Sequence, residues 1–108
     1  PCLVLVKSQQ STKIYGGYNP LQFTNDGGQW KRTNDSFIFS FESSKDIQDM
    51  IISRVNSSYY SNAIYECSNY GFSFGNTTFY MNSDHKIYFS NQGYYDNNIN
   101  NVGSPYIN

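Results

Sequence analysis

At 108 residues the chain is long enough for one small domain and no more. Apolar residues make up 38% and aromatics 19%, with eleven Tyr and eight Phe against three Leu. That composition excludes disorder and favours pleated sheet, on which rings pack well. The net charge is −1, and the seven cations (Lys7, Lys13, Lys31, Arg32, Lys45, Arg54, Lys86) are scattered, which argues against a nucleic-acid or anionic-membrane surface.

No run approaches the roughly 18 apolar residues of a spanning helix. Residues 1–6 are apolar but too short for a signal segment and lack a basic start. The absence of an initiating Met suggests a chain that begins partway into a longer product. Cys2 and Cys67 allow one disulfide at most, have no metal-ligand spacing, and with the single His85 fall short of a zinc site. Two reduced, partly buried thiols in a cytosolic protein are the expectation. Three glycosylation sequons start at Asn34, Asn56 and Asn76, but fourteen Asn and twenty Ser or Thr produce about that many by chance.

Along the chain, residues 3–7 (LVLVK) form an unbroken apolar run that predicts a strand buried on both faces. After a polar loop, residues 13–18 (KIYGGY) predict a second strand paired with the first. Gly16 and Gly17 imply a bulge or a close backbone approach, and Asn19-Pro20 stops the strand. Residues 23–33 read as a loop in which Trp30 closes an edge of the core. Residues 35–42 (DSFIFSFE) give the strongest strand. Phe37, Phe39 and Phe41 alternate with Ser36, Ser40 and Glu42, and Ile38 among the polar positions indicates that both faces are partly covered.

Residues 44–55 fit either a helix capped by Ser44 or a strand from Met50 to Val55; a short turn or loop leading into a strand is the favoured reading. A polar loop at 56–61 precedes a strand at 63–67. Residues 71–75 (GFSFG) read as an aromatic turn bracketed by Gly71 and Gly75, and further strands follow at 77–81 and 86–90. From Asn91 onward the Asn-rich sequence is aperiodic and reads as a long loop. Six or seven short strands imply a mainly β, two-layer antiparallel sandwich with few short helices.

The order of these pieces resembles the TLDc domain. The residues that carry the resemblance are LVLVK at 3–7, IYGGYNP at 14–20 with Gly16, Gly17, Tyr18 and Pro20, and Trp30-Lys31. DSFIFSF at 35–41 follows with Phe37, Phe39 and Phe41, then SRV at 53–55, AIY at 63–65, and GFSFG at 71–75 with Gly71, Phe74 and Gly75. Phe72 stands where the family usually has Pro, and Thr78-Phe79-Tyr80 replaces an Asp-Leu-rich strand. The resemblance implies a two-sheet β-sandwich. It also implies that helices and a first hairpin before residue 1, and a closing strand after residue 108, lie outside this chain, leaving sheet edges and aromatic faces uncovered. By the same resemblance the function is oxidative-stress protection through protein partners, including the vacuolar proton-pumping ATPase, and a BTB/POZ domain often precedes the module.

The residues do not assemble a catalytic set. His85 sits in a polar turn without a nucleophile, and its neighbour Asp84 would point away from it on a strand. Asp35, Glu42, Asp46 and Asp49 read as a hydrated face. Gly16-Gly17 and Gly27-Gly28 lack the helix a phosphate cradle needs. Cys67 follows Glu66, which opposes thiolate formation, so a structural thiol is expected. The leading reading is a non-catalytic protein-interaction module without cofactor or metal. The alternatives are an enzyme whose site is completed by segments outside this chain, and a secreted carbohydrate-binding sandwich.

Overall fold

A computed structural model describes residues 1–7, 9, 12–21, 23, 28–42, 50–66, 71–75, 78–90, 93–96, 99 and 106–107. Among them lie ten strands: β1 (Cys2–Lys7), β2 (Lys13–Asn19), β3 (Gln29–Lys31), β4 (Phe37–Glu42), β5 (Ile51–Arg54), β6 (Ile64–Glu66), β7 (Phe72–Phe74), β8 (Phe79–Met81), β9 (Ile87–Phe89) and β10 (Tyr106–Ile107), with a 3₁₀ turn at Ser57–Asn62. They form a four-stranded sheet in the order β1-β2-β4-β5 and a six-stranded sheet in the order β10-β9-β8-β7-β6-β3. Every strand pairing is antiparallel, as the alternating sequence predicts for a two-layer sandwich.

The chain departs from a simple meander once. After β2 it crosses to place β3 at the edge of the six-stranded sheet, then returns for β4 and β5; β6 to β10 follow in sequence. The sequence places a loop where β3 lies and a turn where β7 lies. Both strands are three residues long and sit beside glycines, so turn signals mask them. The expected polar loop at 56–61 is a 3₁₀ turn, capped by the Asn56 side chain accepting from the Ser58 N–H. Of the ambiguous segment 44–55, the strand β5 is described; residues 43–49, with the helix alternative, lie outside the described residues.

The four-stranded sheet has two unlike faces. The register places Val4, Gly17, Ile38 and Ser53 in one row, and Val6, Tyr15, Ser40 and Ile51 in the next, all turned toward the six-stranded sheet. The opposite face carries Leu3, Leu5, Ile14, Tyr18, Phe37, Phe39, Phe41 and Ile52. β1 is therefore not buried on both faces: its burial alternates, and Leu3 and Leu5 are 60% and 62% exposed. The sequence marks a serine face and an aromatic face on β4. The serine face, with Ser36, Ile38 and Ser40 fully buried, is the interior one.

Small inner residues on this sheet make room for large ones from the other. Phe74 and Phe79 are fully buried, their rings stacked with centroids 5.9 Å apart, and Phe79 stacks on Phe89 at 5.0 Å. The Phe74 ring lies against Gly17 so closely that a Cβ there would sit 2.5 Å from it. Gly16 faces outward, where a Cβ would collide with the Phe39 ring and the Val4 carbonyl oxygen. The glycine pair thus serves close approach on both faces, and the register of β2 continues through it without a bulge.

The segment after β9 is not the featureless loop its composition suggests. Tyr95 bridges to Val55, flanked by bonds from the Asn56 N–H to the Tyr94 carbonyl (2.8 Å) and from the Asp96 N–H to the Arg54 carbonyl (2.9 Å). Tyr95 and Ile99 enter the core, and the Ser40 hydroxyl donates to the Ile99 carbonyl at 2.9 Å. β10 then pairs with β9.

Candidate interaction surfaces

Among the described residues, aromatic side chains gather outside the core on both sheets. The first surface is the outer face of the four-stranded sheet. Along β4 the rings of Phe37, Phe39 and Phe41 follow one another at 6.1 and 6.2 Å, and Tyr18 packs across on Phe37 at 5.5 Å. Leu3 and Leu5 continue this surface to the β1 edge, and Ile52, 41% exposed, carries it to β5. Arg54 lies over the Phe37 ring at 5.7 Å.

The second surface lies on the outer face of the six-stranded sheet. Trp30 of β3 pairs with Tyr65 of β6, ring centroids 4.7 Å apart, and also meets Tyr94 at 5.9 Å; Tyr59 meets Tyr94 at 5.0 Å. Trp30 and Tyr59 are 38% and 39% exposed. Trp30 therefore stands on a strand facing outward and does not close the core. Beside it, Arg32 donates to the Ser61 hydroxyl at 2.9 Å and covers the Tyr60 ring at 5.9 Å, fixing the 3₁₀ turn against β3.

The structure separates the residues picked out in the sequence. Gly16, Tyr18, Phe37, Phe39 and Phe41 share the first surface, and Trp30 belongs to the second. Gly17 and Phe74 meet in the core. Pro20 follows β2, where the Asn19 side chain accepts from the Leu21 N–H at 2.9 Å and turns the chain. Gly71 precedes β7, against Met81, and Gly75, at φ +63, makes the turn toward β8. Leu3, Leu5 and Ile52 were missed as surface residues. Their signal was present in β1's alternation of Leu with Val, but both residue types read as core.

The titratable and nucleophilic groups lie on separate elements. His85 is exposed at φ +65 in the turn between β8 and β9, where the Asn82 side chain accepts from the Asp84 and Lys86 N–H groups. Cys2 is a half-buried free thiol, and Cys67 lies outside the described residues. Glu66, buried, pairs with Lys31 at 3.5 Å. The Tyr95 hydroxyl donates to the Ala63 carbonyl at 2.8 Å and lies 2.7 Å from Ser36 Oγ. Burial pushes this phenol well above its ordinary value of 10.0, against a smaller lowering by the Ser36 bond. Tyr15 is raised too, by burial first and then by the charge of Glu42. Among the described residues no three His, Cys, Asp or Glu side chains gather as a metal site, and no helix is long and apolar enough to cross a membrane.

The family model of the TLDc domain matches residues 1–105. The chain belongs to the TLDc family. The ordered motifs, from LVLVK to GFSFG, thus sit on the two antiparallel sheets that the resemblance implied. No curated protein and no solved structure matches this TLDc chain.

Proposed function

We propose that this TLDc domain is a non-catalytic protein-interaction module of the cytoplasm, acting in oxidative-stress protection and in regulation of the vacuolar proton-pumping ATPase. The observation that carries the reading is the outer face of the four-stranded sheet. Leu3 and Leu5 stand 60% and 62% exposed beside a ladder of three Phe rings. Contiguous exposed apolar patches on folded chains mark association surfaces. The placement of His85 in a turn, and of Tyr95 in a structural hydrogen-bond network, also favours binding over catalysis.

The test is capture of purified vacuolar ATPase subunits by the immobilised domain, with a Leu3→Asp/Leu5→Asp variant in parallel. Capture by the native chain supports the reading. Failure to retain any subunit, or peroxide-scavenging activity that His85→Ala removes, overturns it.

A further inference from the structure

The rings of the second surface differ from those of the core in what they can give up. Apart from thiols, indole and phenol are the side chains from which a radical oxidant most readily takes an electron. Trp30 is the only tryptophan of the chain, and its ring stands exposed on the edge strand β3, where an oxidant in solution reaches it. Three phenols continue from it. Tyr65 lies at 4.7 Å and Tyr94 at 5.9 Å between ring centroids, and Tyr59 lies 5.0 Å beyond Tyr94. Rings at these separations are in direct contact, so an electron passes between them with no intervening bridge. Tyr59, exposed in the 3₁₀ turn, opens the far end to water, where an oxidised phenol must deliver its proton. The Arg32 contacts to Ser61 and Tyr60 hold that turn against β3 and fix the spacing. Tyr95 lacks these features: it is buried and its hydroxyl donates to the Ala63 carbonyl, which leaves the proton no route to solvent.

We propose that Trp30, Tyr94 and Tyr59, with Tyr65 beside them, form a one-electron oxidation site that takes radicals of the peroxyl class at the indole and carries the oxidation to the exposed phenol. The first step moves a hydrogen atom. The indole N–H bond breaks, the peroxyl oxygen gains the hydrogen and becomes a hydroperoxide, and an indolyl radical remains. In the second step an electron leaves a phenol for the indolyl radical. The phenol releases its proton to water and the indole nitrogen takes one from water. Trp30 is thereby restored, and the radical rests on a phenoxyl oxygen, the more stable of the two species near neutral pH. An enediol reductant in solution then returns a hydrogen atom to that oxygen and is itself left as a radical. The chemistry needs no protein partner, so it stands apart from the interaction reading.

The test is pulse radiolysis with azidyl radicals as the oxidant, in a chain carrying Cys2→Ser and Cys67→Ser so that no thiol competes. The green absorption of the indolyl radical is expected to decay as the violet band of the phenoxyl radical rises, at a rate that does not change with protein concentration. Tyr59→Phe/Tyr65→Phe/Tyr94→Phe keeps the rings and removes the hydroxyls. It is expected to lose the phenoxyl rise, leaving the indolyl radical to decay by encounters between chains. Tyr80→Phe/Tyr88→Phe, a stacked pair on β8 and β9 of the same sheet, is expected to keep the rise. Peroxyl radicals from a thermally decomposing azo compound are expected to leave oxidation products on Tyr59 or Tyr94, with Trp30 intact. A rise whose rate grows with protein concentration, a rise that survives the triple substitution, or oxygenated Trp30 beside three intact tyrosines overturns the inference. Should the triple variant fail to fold, the concentration dependence and the product map, both read on the unsubstituted rings, decide it.

Discussion

The two faces of the four-stranded sheet, carried by alternate residues of the same strands, differ in where their small and large residues lie. The inner face sets Ser36, Ser40, Ser53 and Gly17, all buried, among Val4, Val6, Tyr15, Ile38 and Ile51, and the outer face carries Leu3, Leu5 and the Phe ladder of β4. The six-stranded sheet accounts for the difference. It supplies Phe72, Phe74, Phe79 and Phe89 to the interface, so its partner sheet must contribute small residues if the layers are to close. Buried serines are tolerated because their hydroxyls are satisfied, Ser40 by the Ile99 carbonyl and Ser36 by the Tyr18 carbonyl and the Tyr95 hydroxyl. Burial on the inner face is decided by what the facing layer offers, while on the outer face Leu3 and Leu5 stand exposed beside a ladder whose central ring, Phe39, is buried.

If that contrast is right, the largest effect belongs to Gly17→Val. A side chain there meets the Phe74 ring, which has no room to move, and the cost is about 4 kcal/mol or more. Urea denaturation should find the variant largely unfolded. Phe74→Ala comes next, at about 3–5 kcal/mol, because it empties the space that Gly17 keeps open.

Tyr95→Phe sharpens the comparison by testing how the small-residue face is held. Loss of the hydroxyl between Ser36 and the Ala63 carbonyl is expected to cost about 1–3 kcal/mol. The same residue sets a pH dependence. Its folded pKa is raised, so its contribution is fully present below pH 10 and is lost as pH rises above it, by up to about 1.4 kcal/mol per unit. Denaturation midpoints measured upward from pH 10 should fall less steeply in Tyr95→Phe than in the native chain. The smallest effect belongs to the outer face: Leu5→Ser should change stability by about 0.5 kcal/mol or less. A cost at Leu5 as large as that at Phe74 would erase the distinction between the faces.

The longer strands were legible in the sequence. β4 shows its alternation, β1 reads as an apolar run whose alternating burial is not apparent, and the β1–β2 pairing follows from adjacency. β3 and β7 were not, because three residues are too few to show a period and neighbouring Gly28, Gly71 and Gly75 signal turns. Tyr95 and Ile99 were hidden for a related reason. Each is a single apolar residue anchoring an Asn-rich stretch, placed by contacts distant in sequence and not by any local repeat. The alternation of β4 marked its two faces but could not say which one meets the second sheet. That assignment depends on Phe74 and Phe79, more than thirty residues away. The candidate surface was half legible. Phe37, Phe39 and Phe41 were singled out, while Leu3 and Leu5 looked like core because nothing local distinguishes a Leu awaiting a partner from one already covered.

The contrast between the faces is tested most directly by thiol accessibility. In a chain with Cys2→Ser and Cys67→Ser, one variant carries Leu5→Cys and another Ile38→Cys, and each is alkylated under native conditions. The structure predicts that the Leu5→Cys thiol reacts at the rate of a free thiol, while that of Ile38→Cys is protected about a hundredfold or more until the chain unfolds. Equal rates at the two positions, or protection at Leu5→Cys, would contradict the account.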